Sequence, residues 1–374
     1  MIKILITGDF CPIGKTQELA AQKNFDAIYN DFMPILKAAD LAVTNLECPL
    51  IDTDVSRAKT GPALKAPTST IEVLKHGGFH LVTMANNHIM DQQAQGLNST
   101  IKLCDENNIS YVGVGKNLTD ARKPYIKEIN GKKIYILNFA ENEFSNTHGD
   151  YPGANPLSLV SNFNDIKNAR KEADYLIVIF HGGNEMHPLP SPRVKETLRF
   201  FADCGADAVI AHHTHCVSGY ENYNGTLIFY GLGNFLFDYN RRKDNLWTKG
   251  LAVQLNLEDS GASFELIPFY QNKDDKNGIH LLSNEEKRIF EDELKKFNLI
   301  ISDDSLLEKE FQKYVEKKKK MYSHYLEPYT QRILHIMHRY KILPSFLNKR
   351  KRLLYLNLIR CESHRDVILR ILGN

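Results

Sequence analysis

The stretch IKILITGDF, residues 2–10, is an Ile- and Leu-rich run that breaks at Gly8 and meets a carboxylate at Asp9. Five later stretches repeat that form. LAVTNL precedes Glu47, LVTMAN precedes Asn87 and His88, and YLIVIF precedes His181. AVIAH leads into His213 and His215, and TLIFYGLG leads into Asn234. Short apolar runs of this kind are predicted as buried parallel strands. In open α/β sheets, ligands gather outside the carboxyl ends of the strands. The carboxylates, carboxamides and imidazoles are therefore expected to meet at one edge, and a bound metal, or a pair of them, is the best physical reason for such a convergence.

Between these runs lie helix-like segments. FDAIYNDFMPILKAAD reads as one helix, Thr70 to Gly77 as another, and GLNSTIKLCDENN as a third leading to the short strand ISYVGVG. A fourth runs from Pro192 to Cys204 and stops at Gly205, a common helix terminator. The alternation is the α/β signature. IKEINGKKIYILNF and GLAVQLNLEDSGASFELIPFY read instead as hairpins turning at Asn130-Gly131 and Ser260-Gly261. The expected architecture is thus a mixed or double sheet rather than one all-parallel sheet.

The 374 residues allow two or three domains, and the net charge of +2 points to no nucleic-acid partner. Six cysteines, Cys11, Cys48, Cys104, Cys204, Cys216 and Cys361, form no CxxC pair and fit free thiols in a reducing compartment. No signal-peptide pattern precedes the core-like strand at Ile2, and no apolar run reaches the ~18–20 residues of a membrane helix. A cytoplasmic location is expected, with peripheral contact at the inner face of the membrane left open by the basic tail described below.

Each site residue carries a bland alternative. A strand-end carboxylate such as Asp9 or Glu47 is commonly a cap or turn former. Asn87 and His88 suit a buried polar turn. They equally suit a metal ligand beside a proton donor. His181 in HGGNE suits a core histidine, although its two glycines argue for close approach to something. His213-Thr214-His215 is the sharpest signal, because alternate residues of an extended segment share a side. His212 is expected to point away. Histidine with oxygen ligands suits Mn, Fe or Zn. Glu185, Glu141 and Glu143 are candidates to line the cleft. Lys59 and Lys65 lie in the loop AKTGPALKAP, placed to cover the site and meet an anionic substrate or simply to face solvent. Trp247, Arg241 and Arg242 carry no readable role.

Taken in order, TGDF (7–10), NLE (45–47), ANNH (85–88), HGGNE (181–185), HHTH (212–215) and YGLGNFLFD (230–238) resemble the blocks of the calcineurin-like metallophosphoesterase superfamily. More specifically, the chain looks like the bacterial CapA-like capsule synthesis proteins implicated in poly-gamma-glutamate production. The likeness covers roughly residues 2–270. It implies a four-layer αββα sandwich and two divalent metals. By resemblance, Asp9 ligates one metal, Glu47 bridges both, Asn87, His181 and His213 hold the second, and His215 completes the first. His88 is the implied proton donor. Glu185, Asn234 and Lys65 are, from their positions, candidate substrate contacts. Two positions depart from the wider pattern. The superfamily's Asp-x-His is Asp9-x-Cys11 here, and its Gly-Asp is replaced by Glu47 in NLE. The first metal site is therefore expected to be ligand-poor or assisted by the Cys11 thiolate.

Composition shifts near residue 272, where charged helical patterns replace strand signals. The expected division is a catalytic domain over 1–271 and a helical, basic appendage over 272–374. Ser283 with Glu286, and Ser305 with Glu308, have capping-box spacing, and Pro328 and Pro344 punctuate the helices. Lys349 to Arg352 beside Phe346, Leu347, Leu353, Leu354 and Tyr355 suit a basic amphipathic surface for an anionic membrane or for a biosynthetic complex. The leading functional reading is a dinuclear-metal hydrolase of cell-surface polymer synthesis. It would use metal-activated water against a phosphoester or a glutamyl or amide substrate, either small or polymeric. The alternatives are a metal-dependent epimerase and a non-catalytic, metal-stabilised accessory protein of polymer assembly or export.

Overall fold

A computed structural model describes residues 1–239, 244–258, 261–274, 276–326, 331–340, 342–343 and 348–373. Ser260, Arg241, Arg242, Pro328, Pro344, Phe346 and Leu347 lie outside the described residues.

Two sheets stack face to face. The first runs in the order Ile279–Leu281, Gly261–Gln271, Lys249–Glu258, Ile2–Cys11, Leu41–Leu46, Leu81–Thr83, Ser110–Val112, with Asn234–Phe237 also paired to Ile2–Cys11. The second runs Tyr220–Tyr223, Thr226–Phe229, Ala208–His212, Tyr175–His181, Lys132–Ala140, Tyr125–Ile129. Strand alternation builds the layers. Ile4, Ile6, Val43, Val253 and Leu255 of one sheet meet Ile136, Ile177, Ile179 and Ile210 of the other. The opposite faces are covered by helices. Leu5, Ala42 and Val82 pack under Leu36, Leu74 and Leu97, and Leu137, Val178 and Val209 pack under Ile166, Leu198 and Phe201. The result is the expected four-layer αββα sandwich. Each fully buried Ile, Leu or Val adds about 1.5–3 kcal/mol.

The first strand changes partners halfway. Its start, Ile2 to Ile6, pairs antiparallel with Lys249–Glu258, and its end, from Asp9, pairs parallel with Asn234–Phe237. A bulge between Asp9 and Phe10 accompanies the switch, and bulges of this kind re-aim side chains beside functional sites. Gly8 is required there, since a Cβ would sit 1.9 Å from the Gly233 carbonyl oxygen.

Several local expectations need correction. The helix expected over FDAIYNDFMPILKAAD is three short pieces, Asp26–Tyr29, Asn30–Phe32 and Met33–Lys37. Asn30 has φ 44°, and Pro34 has no N–H to continue a preceding turn. Strand structure also persists past residue 272, with Ile279–Leu281 at the sheet edge. Ser283 and Glu286 form a reciprocal capping box. Ser305 does not form one: Asp303 Oδ1 accepts from the N–H groups of Ser305 and Leu306. Asn284–Ser302 and Asp304–Leu326 follow as helices. The C-terminal helices share a small core of Phe311, Val315, Tyr322, Leu358, Val367, Ile368 and Ile371. No helix among the described residues is long and apolar enough to cross a membrane.

Candidate metal centre

The parallel strands of both sheets bring their carboxyl ends to one edge. Register places Asp9 beside Asn45 in the first sheet and His181 beside His212 in the second. The loops leaving these strands supply the remaining groups. His213 and His215 do not reach the site from extended backbone, as the sequence pattern implied. Their φ values are 93° and 55°, so a tight left-handed turn delivers both imidazoles. Such backbone is costly for residues other than glycine and concentrates at functional sites. His212 does turn away, with Nε2 3.1 Å from the Thr7 carbonyl oxygen.

Among the described residues two ligand sets form, and Glu47 belongs to both. One is Glu47, His181 and His213; the other is Asp9, Glu47 and His215. Each set has its donor atoms within 4.8 Å of one another. His181 Nε2 lies 3.0 Å from Asn87 Oδ1 and 3.1 Å from His213 Nδ1. Donors at right angles around an ion about 2.1 Å away are separated by about 3 Å, so this triangle fits a shared cation. In the other set, His215 Nδ1 lies 3.4 Å from Asp9 Oδ2. Glu47 Oε1 stands 3.6 Å from His181 Nε2 and 3.7 Å from His215 Nε2.

Charge balance supports the same fit. Glu47 is fully buried, and neither carboxylate oxygen has a hydrogen-bond partner among the described residues. Burial, then Asp9 and Glu185, push its carboxyl well above the ordinary range. A buried, unpaired acid is costly, and a cation between the two ligand sets would remove that cost. Burial alone would raise Asp9 too, but the hydrogen bond to His215 and the nearby His181 hold it below the ordinary carboxylate value. Burial and His213 push His181 well down, and burial lowers His213. Both imidazoles therefore keep a lone pair, as metal ligation requires.

His88 stands outside both sets and faces an acid of its own. Its Nδ1 lies 2.6 Å from Asp91 Oδ2, and Lys59 Nζ lies 2.6 Å from Asp91 Oδ1. Lys59 Nζ also lies 3.3 Å from His88 Nδ1. One nitrogen cannot both donate to Asp91 and accept from Lys59. The short contact to the carboxylate assigns the proton to Nδ1, which leaves Nε2 as the basic atom. All three side chains are buried.

The remaining candidates divide. Asn234 is fully buried with both amide ends engaged: Oδ1 lies 3.0 Å from His215 Nδ1, and Nδ2 donates to the Trp247 carbonyl oxygen at 3.0 Å. It orients His215 rather than facing substrate, which corrects the expected substrate contact. Lys65 is turned outward, its Nζ donating to the Asp52 carbonyl oxygen at 3.1 Å. The loop lysine that reaches the site is Lys59. Cys11 belongs to neither ligand set. It is buried on the helix side of the first sheet, and burial with neighbouring Cys48 raises its thiol well above the ordinary value.

Glu185 is exposed to solvent, yet close enough to the site for its histidines to act on it. Burial would raise it, but His213, His215, His88 and His364 hold it below the ordinary value. Glu143 comes within 4.0 Å of His213 Nε2 and is pushed up to about 8, chiefly by burial. Glu141 Oε2 accepts from the Gly183 N–H at 3.1 Å, bracing the HGGNE turn. Sequence reasoning missed Asp91, Asn45, Trp247 and His364. Asn45 Nδ2 donates to Asp9 Oδ1 at 2.8 Å, and the Trp247 ring centroid lies 4.8 Å from that of His215.

Residues 3–239 match the family model described as bacterial capsule synthesis protein PGA_cap. The chain is 30% identical over 279 residues to the capsule biosynthesis protein CapA of Bacillus anthracis, covering 71% of this chain and 67% of that one. It is 32% identical over 268 residues to the PGA biosynthesis protein CapA of Bacillus subtilis (strain 168), covering 70% of this chain and 69% of that one. Among solved structures, the 5'-nucleotidase from Candida albicans SC5314 aligns with 85% of this chain and 57% of its own. That alignment has a TM-score of 0.42 and 12% identity.

Proposed function

This chain belongs to the PGA_cap family of bacterial capsule synthesis proteins, and we propose that it serves there as a hydrolase whose cleft holds two divalent metal ions. One observation carries the reading: Glu47, buried without a hydrogen-bond partner, is shared between two ligand sets. Asp9 and His215 would hold one ion, and Asn87, His181 and His213 the other, with Glu47 between them. Mn, Fe and Zn all suit this donor set. Such a pair, when bound, supplies Lewis acidity and an acidified water at neutral pH.

The chain's own residues provide the rest. Asn234 fixes the ring of His215 through Nδ1, and orienting contacts of this kind are part of a working metal centre. Asn45 holds Asp9 by its Oδ1. Asp91 keeps the His88 proton on Nδ1 and orients the ring. His88 Nε2, when protonated, can pass a proton to a leaving oxygen or nitrogen. Glu185, exposed beside the site, would repel a second carboxylate and accept from an N–H or O–H of substrate.

The substrate proposed is a phosphoester or a glutamyl or amide bond of a cell-surface polymer or its precursor. The name of the Bacillus subtilis relative, a PGA biosynthesis protein, favours the polyglutamate branch for this chain as well. Residues 1–271, with the edge strand Ile279–Leu281, would form the catalytic unit, and the helices from Asn284 onward would pack on it. Lys349 to Arg352 offer those helices a route to an anionic membrane face or a biosynthetic complex. The test is a turnover screen of Mn-, Fe- and Zn-loaded protein on phosphomonoesters, phosphodiesters and γ-glutamyl amides, with His213→Ala as control. Turnover by the loaded wild type and none by the control supports the reading. Metal uptake without turnover on any of them favours an accessory role.

A further inference from the structure

The last helix, Glu362–Gly373, lies far beyond residues 3–239 matched by the family model, yet it is fastened to the metal cleft. Ser363 Oγ donates to Glu141, with its oxygens at 2.7 and 2.9 Å. Arg193 pairs with Glu141, places Nη2 3.1 Å from Ser363 Oγ, and donates from Nε to Asp366 Oδ2 at 2.5 Å. Glu362 accepts from the backbone N–H and side-chain amide of Asn142 at 2.9 and 2.8 Å. Asn184, in the HGGNE turn, reaches the Ser363 carbonyl oxygen at 3.5 Å. Glu141 also braces Gly183, so the clamp joins the tail to the turn that follows His181.

We infer that this helix is a wall of the metal cleft and that His364 is a substrate-contacting residue offering an N–H to an anionic oxygen. The inference rests on the metal-cleft reading above and deepens it. His364 follows Ser363 directly, on the clamped end of the helix. Its Nδ1 lies 2.6 Å from the Tyr322 hydroxyl. We take the phenol as the donor, which puts the imidazole proton on Nε2, and no hydrogen bond from Nε2 to a described residue is seen. The residue is partly exposed. Its neighbour Ser363 is held by Glu141 and by Asn184 of the HGGNE turn, one residue before Glu185, which sets this end of the helix beside the cleft. His88 and His364 would then approach a bound anion from different elements, one from the sheet edge and one from the tail.

The experiment uses full-length protein loaded with Mn(II) and titrated with inorganic phosphate by calorimetry. It compares wild type with His364→Ala and His364→Gln, with elemental analysis on each. A lost hydrogen bond to a charged group predicts about 10-fold or more weaker phosphate binding in His364→Ala. Mn(II) content should stay unchanged, and His364→Gln, which keeps an N–H, should recover much of the affinity. Unchanged phosphate affinity in His364→Ala overturns the inference. Loss of Mn(II) from that variant also overturns it, because a residue that only touches substrate does not hold metal. A Mn(II)-loaded wild type that binds no phosphate removes the assignment of an anionic oxygen. Failure of the wild type to take up Mn(II), or Zn(II) in its place, is a separate result: it removes the metal reading itself, and this inference with it.

Discussion

Glu47 Oε1 lies 3.6 Å from His181 Nε2, and neither oxygen of Glu47 has a hydrogen-bond partner among the described residues. The contact is too long for a hydrogen bond, but it suits two ligands of one ion. Glu47→Gln should therefore act in opposite directions on two measurements. In metal-free protein, removing a buried acid should raise stability by about 1 kcal/mol, read as a higher urea midpoint. In metal titrations, the same variant should bind far more weakly. A variant destabilised without metal would mean that Glu47 already has a partner in the folded protein.

His88 and His213 occupy different chemical positions, and their alanine variants should separate. His213→Ala removes a metal donor and should lose bound metal. His88→Ala should keep the metal and lose most turnover, since a positioned proton donor contributes roughly 10²–10⁴-fold. Elemental analysis beside kcat on the best substrate of the screen distinguishes them. Equal metal loss in both variants would contradict the division.

Gly8→Ala tests the strand switch that aims Asp9. A Cβ at Gly8 would sit 1.9 Å from the Gly233 carbonyl oxygen, so one of the two strands must move. The expected cost is about 3 kcal/mol, seen as a lower urea midpoint, together with weaker metal binding. A variant with wild-type stability would show that the two strands are not locked at this point.

His187 gives a stability effect with a definite sign. It stacks on Tyr314 of the Asp304–Leu326 helix at 4.3 Å between ring centroids. Burial first, then Lys317, pushes its ordinary value of 6.5 down to about 4. Below 6.5 the unfolded chain binds a proton that the folded chain refuses, so stability from this group is present above 6.5 and lost as pH falls toward 4. His187→Phe keeps the stack and removes the titration. Its advantage over wild type in thermal unfolding should grow between pH 6.5 and 4. A constant difference across that range would mean that the ring already titrates normally.

The six strand-end blocks were legible because a buried strand seldom ends in a polar cluster unless something at that end satisfies it. Asp9, Glu47, Asn87, His181, His213 and His215 stand together at one sheet edge, where the runs pointed. What escaped was set by contacts distant in sequence or by backbone geometry. Lys59 and Lys65 sit in the same loop, and no local pattern tells which one turns inward to Asp91. Asn234 carries an amide that suits substrate equally well until Trp247 and His215 are seen to occupy both ends. The paired imidazoles of His213 and His215 follow from left-handed backbone, not from strand alternation. Ser305 had the right spacing for a cap, yet Asp303 lies one residue before the helix begins. The clamp between Glu141 and Ser363 joins positions 222 residues apart, and nothing local in either segment announces it.

The most direct measurement of the central claim is metal stoichiometry. Purified chain, stripped with chelator and titrated separately with Mn(II) and Zn(II), should bind about two ions per molecule by elemental analysis after desalting. Glu47→Ala should lower the affinity of both sites together, because one carboxylate serves both. Wild-type protein that takes up neither ion, or Glu47→Ala protein that still binds two with unchanged affinity, would contradict a metal pair shared through Glu47.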